Sequence, residues 1–341
     1  MKTFAGIDLH SSNNYIVVID ENDKKLFEKR LPNNIEIIVA ELNNFKKTLK
    51  GVVVESTFNW YWLVDGLEEA GFKMHLANPA AIQQYNGLKH TDDKWDSFWL
   101  AHMLRLGILP EGYIYPKSKR PVRDLLRRRV LFVRQRTTQI LSLQSMITRN
   151  LGIKMNGSQI KKIKPDEIEK ILGDHYLAFT AKQNLITINT LKNVIRDIEK
   201  KVLEMAELSP EYIKLITFPG IGKILGLTIM LEVGDINRFS KVGCYSSYCR
   251  CVKSERLSNT KKKGENNRKN GNKYLSWAYV EAANFAIRHC QYAQSFYHRK
   301  KAKRNGIVAI KALSNKLARA SYYVMRDQVD YNPKQLFRNQ V

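Results

Sequence analysis

At 341 residues with 44% apolar content, the chain can fold into two or three units with real cores, which excludes a disordered basic protein. Its 57 Lys and Arg against 32 Asp and Glu leave a formal net charge of +25. Such an excess opposes compaction unless a polyanion neutralises it, so nucleic acid is the expected partner and a membrane surface the competing one.

The first elements are short and apolar. Thr3-Phe-Ala-Gly-Ile-Asp-Leu9 reads as a strand, Tyr15–Asp20 as a second and the stretch around Leu26-Phe27 as a third. A helix over about Asn33–Lys50 follows, then the strand Gly51-Val-Val-Val-Glu55, a helix from Phe58 to Ala70 and a strand near Phe72–Ala77. Next comes a helix carrying Asp93 and Asp96, with Thr91 or Asp92 as its N-cap. The order β-β-β-α-β-α-β-α is that of a ribonuclease-H-like α/β fold, a mixed sheet flanked by helices. No signal peptide and no apolar run near the roughly 20 residues of a bilayer span is recognisable, so a cytoplasmic, nucleoid-associated protein without membrane contact is expected.

The breaker-rich stretch Leu109–Pro116 marks the exit from a first domain, 1–116. Residues 117–136 carry nine Lys/Arg and one Asp, including Arg127, Arg128 and Arg129, interleaved with apolar residues at helical spacing. A second helical stretch runs from about Tyr176 to Leu208, so 117–208 reads as a long-helix linker, coiled-coil-like, serving as an arm or dimerisation element. A mainly α-helical domain, 209–341, completes the chain. Its Phe218-Pro-Gly-Ile-Gly-Lys223 is a helix-hairpin-helix-like turn in which Gly220, Gly222 and Lys223 can present backbone amides and charge to a phosphate.

Residues 241–273 hold ten Lys/Arg and two Glu. Lys261, Lys262, Lys263, Arg268, Lys269 and Lys273 within them suggest a flexible basic loop tracking a phosphate backbone. The cysteines, Cys244, Cys249, Cys251 and Cys290, lack the paired spacing of a zinc site and read as reduced thiols. Trp277, Tyr279 and Phe285, in the closing helices, read as core, and His298–Arg304 is a further basic run.

Four acids carry the chemistry. Asp8 and Glu55 sit at the ends of apolar strands, where a charge is costly without a purpose, and Asp93 and Asp96 share one helix face. Carboxylates this close raise one another's pKa values, and a divalent cation turns the repulsion into coordination. Hard oxygen ligands suit Mg²⁺ or Mn²⁺, and two ions about 4 Å apart can activate the attacking oxygen and stabilise the leaving one in phosphodiester chemistry.

Gly6-Ile-Asp-Leu-His10, Glu55 and His90-Thr-Asp-Asp-Lys-Trp-Asp-Ser97 resemble the Asp-Glu-Asp-Asp motif of the insertion sequence 110 family of transposases. Tyr248–Asn259 is similar to that family's Tyr-x-Gly-Leu-Val-Pro-Ser…Ser-Gly segment, and Asn270-Gly-Asn-Lys-Tyr-Leu275 to its Lys-x-Gly-Asn-x-x-Leu segment. Together the two motif sets span nearly the whole chain. Arg250, Lys253 and Asn259 depart from the pattern, standing where the family has Gly, Pro and Gly. The resemblance implies a RuvC-like first domain and an enzyme that excises a mobile element and inserts it elsewhere. It implies double-stranded DNA partners at the element ends and target, a structured non-coding bridge RNA that pairs with both, and a homotetramer (a dimer of dimers). By alignment it makes Ser258 the nucleophile of a transient phosphoserine link. Residue chemistry alone does not single out Ser258, because Ser246, Ser247 and Ser254 lie nearby. Two alternatives remain open at this point: a Mg²⁺-dependent, junction-resolvase-like endonuclease that uses water, and a non-catalytic nucleic-acid-binding protein.

Overall fold

The computed structural model describes residues 1–82, 92–204, 209–265 and 270–337, and the chain divides into two compact units, Met1–Lys117 and Ser118–Val341. The first is built on a five-stranded sheet of order β3-β2-β1-β4-β5. Strands β1 (Thr3–Leu9), β2 (Asn13–Asp20) and β3 (Lys25–Pro32) form an antiparallel meander. After α1 (Ile35–Asn43), β4 (Leu49–Glu55) returns parallel to β1, and after α2 (Tyr61–Glu69), β5 (Met74–Ala77) lies parallel to β4.

The central residues of β1 and β4 are apolar because helices cover both faces. Ile7, Val52 and Val54 pack with Leu63 and Leu67 on one side. On the other, Val53 meets Leu100 and Met103 of α3 (Asp93–Leu106). The expected element order is present. Helix α1 stops at Asn43, short of Lys50, because the turns that follow must deliver Leu49 to the start of β4. Of the two candidate caps of α3, Asp92 accepts the Trp95 amide at 2.8 Å, whereas Thr91 falls outside the described residues.

The second unit opens with α4 (Arg120–Leu151), followed by the short α5 (Gly157–Ile160) and α6 (Ile168–Leu172) and by α7 (His175–Glu204). Ile140, Leu143 and Ile147 of α4 pack with Leu185 and Ile188 of α7, with Ile160 and Leu172 closing the tip. At the other end of these helices, Leu126 and Val202 join Tyr212 of α8 (Pro210–Leu215) and Leu227 and Leu231 of α9 (Lys223–Val233). The long helices are therefore rooted on the α8–α9 pair by apolar contact.

Then come α10 (Val242–Tyr248), the hairpin β6 (Arg256–Ser258) and β7 (Lys261–Gly264), and the helices α11 (Lys273–His289), α12 (Gln291–Lys303), α13 (Gly306–Asp327) and α14 (Pro333–Leu336). Phe218, Tyr245, Leu275, Tyr279, Leu317 and Tyr322 form their core. Tyr279 is buried as expected and Trp277 packs at the edge of this core, but Phe285 is exposed. The expected flexible loop is corrected over its first part. Asn259 and Thr260, at φ 50° and 60°, form a two-residue turn of the I′ kind that pairs Lys261–Gly264 with β6. All four cysteines are free thiols. No helix among the described residues is long and apolar enough to cross a membrane.

Candidate active site

The four sequence-predicted acids fall at one end of the first unit's sheet. In the parallel pair β1–β4, Ile7 lies opposite Val54, which sets Asp8 and Glu55 side by side at the ends of neighbouring strands. Ile7 and Val54 point into the α1–α2 core, so by strand alternation Asp8 and Glu55 face the α3 side. Helix α3 reaches them only because residue 6 is glycine. A Cβ there would collide with the Ser97 carbonyl and the Ala101 amide, so helix backbone lies directly on strand backbone. The buried Ser97 hydroxyl shares its one proton between Tyr15 O at 2.9 Å and Asp93 O at 2.7 Å, fixing the first turn of α3 over the sheet.

Sequence reasoning missed a third kind of ligand. His10 follows Asp8 by two residues, a same-face spacing that was the available signal. Its backbone is held by Asn13 O, which accepts its amide at 2.9 Å, and by the Asn33 and Asn59 amides, which donate to its carbonyl at 3.0 and 2.9 Å. Its Nε2 lies 3.1 Å from Asp8 Oδ2 and 3.3 Å from Asp93 Oδ1, yet lacks a well-angled hydrogen bond to either. Among the described residues, ligand atoms of Asp8, His10 and Asp93 lie within 4.8 Å of one another. Arg30 of β3 donates to Asp93 Oδ2 at 2.6 Å.

Burial, reinforced by the charge of Asp93 and opposed by His10, raises the Asp8 pKa above its usual value. Burial together with Asp8, Asp93 and Asp92 raises that of Asp96. Half-buried carboxylates with an imidazole nitrogen lying between two of them fit a divalent cation. The imidazole suits Mn²⁺ better than Mg²⁺.

Two comparisons bear on this geometry. Residues 5–150 match the transposase model for the DEDD domain of IS110 elements, and residues 213–298 match the model "Transposase IS116/IS110/IS902 family". The chain belongs to the IS110 family of transposases. No curated protein matches it. Membership makes it a DNA-acting enzyme, with the ribonuclease-H-like first unit followed by helices.

The second half of this transposase presents Ser258 at the end of β6, exposed and paired across the ladder with Lys261. Asn259, where the family pattern has Gly, occupies a left-handed position that Asn tolerates better than other side chains do. The two family motifs of this half meet through hydrogen bonds. The Asn272 amide donates to Tyr248 O at 2.6 Å, and the Arg250 guanidinium donates to Asn270 O and Gly271 O. Asn272 also caps α11, accepting from Tyr274 and Leu275, and donates to the buried Glu232 at 2.7 Å.

The predicted phosphate contacts divide. Arg127 is drawn inward, gripping Glu232 through Nε at 2.6 Å and Nη2 at 2.7 Å, and Arg129 grips Glu199 at 2.8 and 2.5 Å. These forks hold the protein together, which leaves Arg128 as the exposed member of the trio. Gly220, at φ 95°, packs on the α11 backbone at Ala282 and Ala286, a packing role that the motif did not reveal. Gly222 and Lys223 are exposed at the open N-terminus of α9. Lys261, Lys263 and Lys273 are exposed. The side chain of Lys262, and Arg268 and Lys269 entirely, fall outside the described residues.

Proposed function

We propose that this transposase cuts and rejoins DNA at a divalent-metal centre held by Asp8, Glu55, Asp93 and Asp96, with His10 as an added ligand and Ser258 as nucleophile. The observation that carries the reading is the convergence of Asp8, His10 and Asp93 ligand atoms within 4.8 Å, in a chain matching both transposase models. When bound, Mg²⁺ or Mn²⁺ supplies charge neutralisation at the phosphoryl oxygens.

The chain's own residues do the rest. Asp8 and Glu55 are fixed by strand ends, and Asp93 and Asp96 by a helix clamped through Ser97, so the ligand set is in place before DNA arrives. The Ser258 oxygen attacks the scissile phosphorus and gives up its proton, forming a phosphoserine ester as the deoxyribose hydroxyl departs. A hydroxyl of the strand to be joined then attacks that ester and releases the serine. The number of phosphate ester bonds is unchanged, so no external energy source is required. A structured bridge RNA choosing both DNA sites by base pairing, and a tetramer in which the serine of one subunit serves the acids of another, complete the proposal. Both rest on family resemblance.

The test is a denaturing gel of wild type, Ser258→Ala and Asp8→Ala incubated with element-end DNA, flanking RNA and Mg²⁺. Protein-linked DNA that needs Ser258, Asp8, metal and RNA is the expected result. Cleavage without any adduct overturns the serine step in favour of attack by water.

A further inference from the structure

The helices that close the chain contain a site the catalytic reading does not use. Between Ala282 and Arg326 the sequence holds ten Lys/Arg and no Asp or Glu. In this acid-free region α11, α12 and α13 line an open groove of about 580 Å³. Its walls are apolar, with Ile287, Ile307 and Ile310, and its polar groups are Asn284, Arg288, Tyr297 and Lys311. Ile307 is 79% exposed at the first turn of α13, an unfavourable place for a branched apolar side chain with nothing against it. Arg288 and Lys311 are exposed, and neither has an ion pair among the described residues. The Asn305 side chain caps the Val308 amide at 2.9 Å, and the amides of Gly306 and Ile307 have no protein partner among the described residues.

An apolar slot, one amide side chain, one phenol and a wholly cationic rim are complementary to a single molecular shape. A nucleobase has apolar faces and a hydrogen-bonding edge, and its phosphate is an anion. We propose that this groove receives one unpaired nucleotide of a single strand. The base lies between Ile307 and the Ile287–Ile310 wall, the Asn284 amide meets its edge, and its phosphate is held by Arg288, Lys311 and the start of α13. A duplex keeps its bases stacked and would touch only the rim, so the slot selects strands that are looped, bulged or displaced. The inference rests on this enzyme's action on nucleic acid and is independent of the serine step.

Fluorescence anisotropy with the full chain tests it, using 12-nucleotide RNA and DNA single strands carrying a central 2-aminopurine, and a duplex of the same sequence. Ile307→Trp fills the slot at unchanged charge and, at so exposed a position, should leave the circular dichroism spectrum intact. It is expected to weaken single-strand binding about tenfold, to remove the 2-aminopurine emission change and to leave duplex binding as it was. Arg288→Ala and Lys311→Ala should each lower the slope of log affinity against log salt by about one. A larger effect on RNA than on DNA assigns the nucleotide to a guide RNA, and the reverse assigns it to a displaced DNA strand. Wild-type single-strand affinity in Ile307→Trp, or an equal loss for single strand and duplex, overturns the proposal. The readout is binding without any cleavage step, so a failure of the catalytic proposal is read separately.

Discussion

The main-chain carbonyl of Ser97 rests directly on Gly6, with no room for a methyl group between them. This contact sets the distance between the helix that carries Asp93 and Asp96 and the strand that carries Asp8. Gly6→Ala must push α3 outward by a sizeable fraction of an atomic diameter, since both contacting groups are backbone. It is expected to destabilise the first unit by about 3 kcal/mol and to abolish cleavage even in molecules that remain folded. Thermal unfolding combined with Mn²⁺ titration checks both halves. Normal Mn²⁺ affinity in a folded Gly6→Ala protein would show that the close approach does not set the site.

The raised pKa values of Asp8 and Asp96 give a signed expectation. A carboxyl whose folded value lies above its unfolded one adds stability below the unfolded value, and that contribution is lost as pH rises through the folded one. The ionised form of each group is opposed first by burial and then by neighbouring carboxylates, which strains the metal-free fold. Asp96→Asn should therefore raise the melting temperature in chelator, on the order of 2 °C, while removing cleavage. Mg²⁺ or Mn²⁺ should stabilise wild type more than the variant. Metal-supported activity should also fade on acidification at a higher pH than an ordinary aspartate would dictate. A variant that melts below wild type in chelator contradicts this account.

The candidate acids stood out in sequence because each sits where charge is unexpected: at the end of an apolar strand, or doubled on one helix face; of these, the structure groups Asp8 and Asp93 with His10. The topology was legible because β1, β2 and β4 carry short apolar runs separated by turn and helix signals. His10 escaped because a lone histidine beyond a strand end is ordinary surface until the fold puts its Nε2 between two carboxylates. Arg127 and Arg129 misled for a different reason. A basic run advertises charge, but which members turn inward depends on buried acids such as Glu232, distant in sequence. Ser258 could be placed only by resemblance, since its hairpin depends on backbone torsions at Asn259 and Thr260 that the residue types do not announce.

Arg127 and Arg128 are adjacent yet should behave oppositely. Arg127 and Asn272 converge on Glu232, which is only 3% exposed. Glu232→Ala leaves buried donors without their acceptor and should cost about 3–5 kcal/mol, with Arg127→Ala also clearly destabilising. Arg128→Ala should stay within about 0.5 kcal/mol of wild type and reduce the salt dependence of DNA binding by about one ion. Denaturant unfolding and salt-dependent anisotropy on the two single variants separate the roles. A reduced salt slope at unchanged stability in Arg127→Ala would return that residue to the DNA interface.

The turn beside Ser258 allows the presentation of the nucleophile to be tested without touching it. Both central residues have positive φ, which Asn259 accepts readily and the β-branched Thr260 does not. Thr260→Gly removes that strain, worth about 1–2 kcal/mol, and keeps Ser258 opposite Lys261. Asn259→Pro fixes φ near −65° and is incompatible with the turn. It should unpair β6 from β7 while leaving the buried core, and hence the global melting temperature, in place. Adduct yield should persist in Thr260→Gly and collapse in Asn259→Pro, with amide exchange at Lys261 slowed in the first and accelerated in the second. Full strand transfer by Asn259→Pro, with Lys261 exchanging freely, would mean that the hairpin does not position the serine and that DNA itself orders this segment.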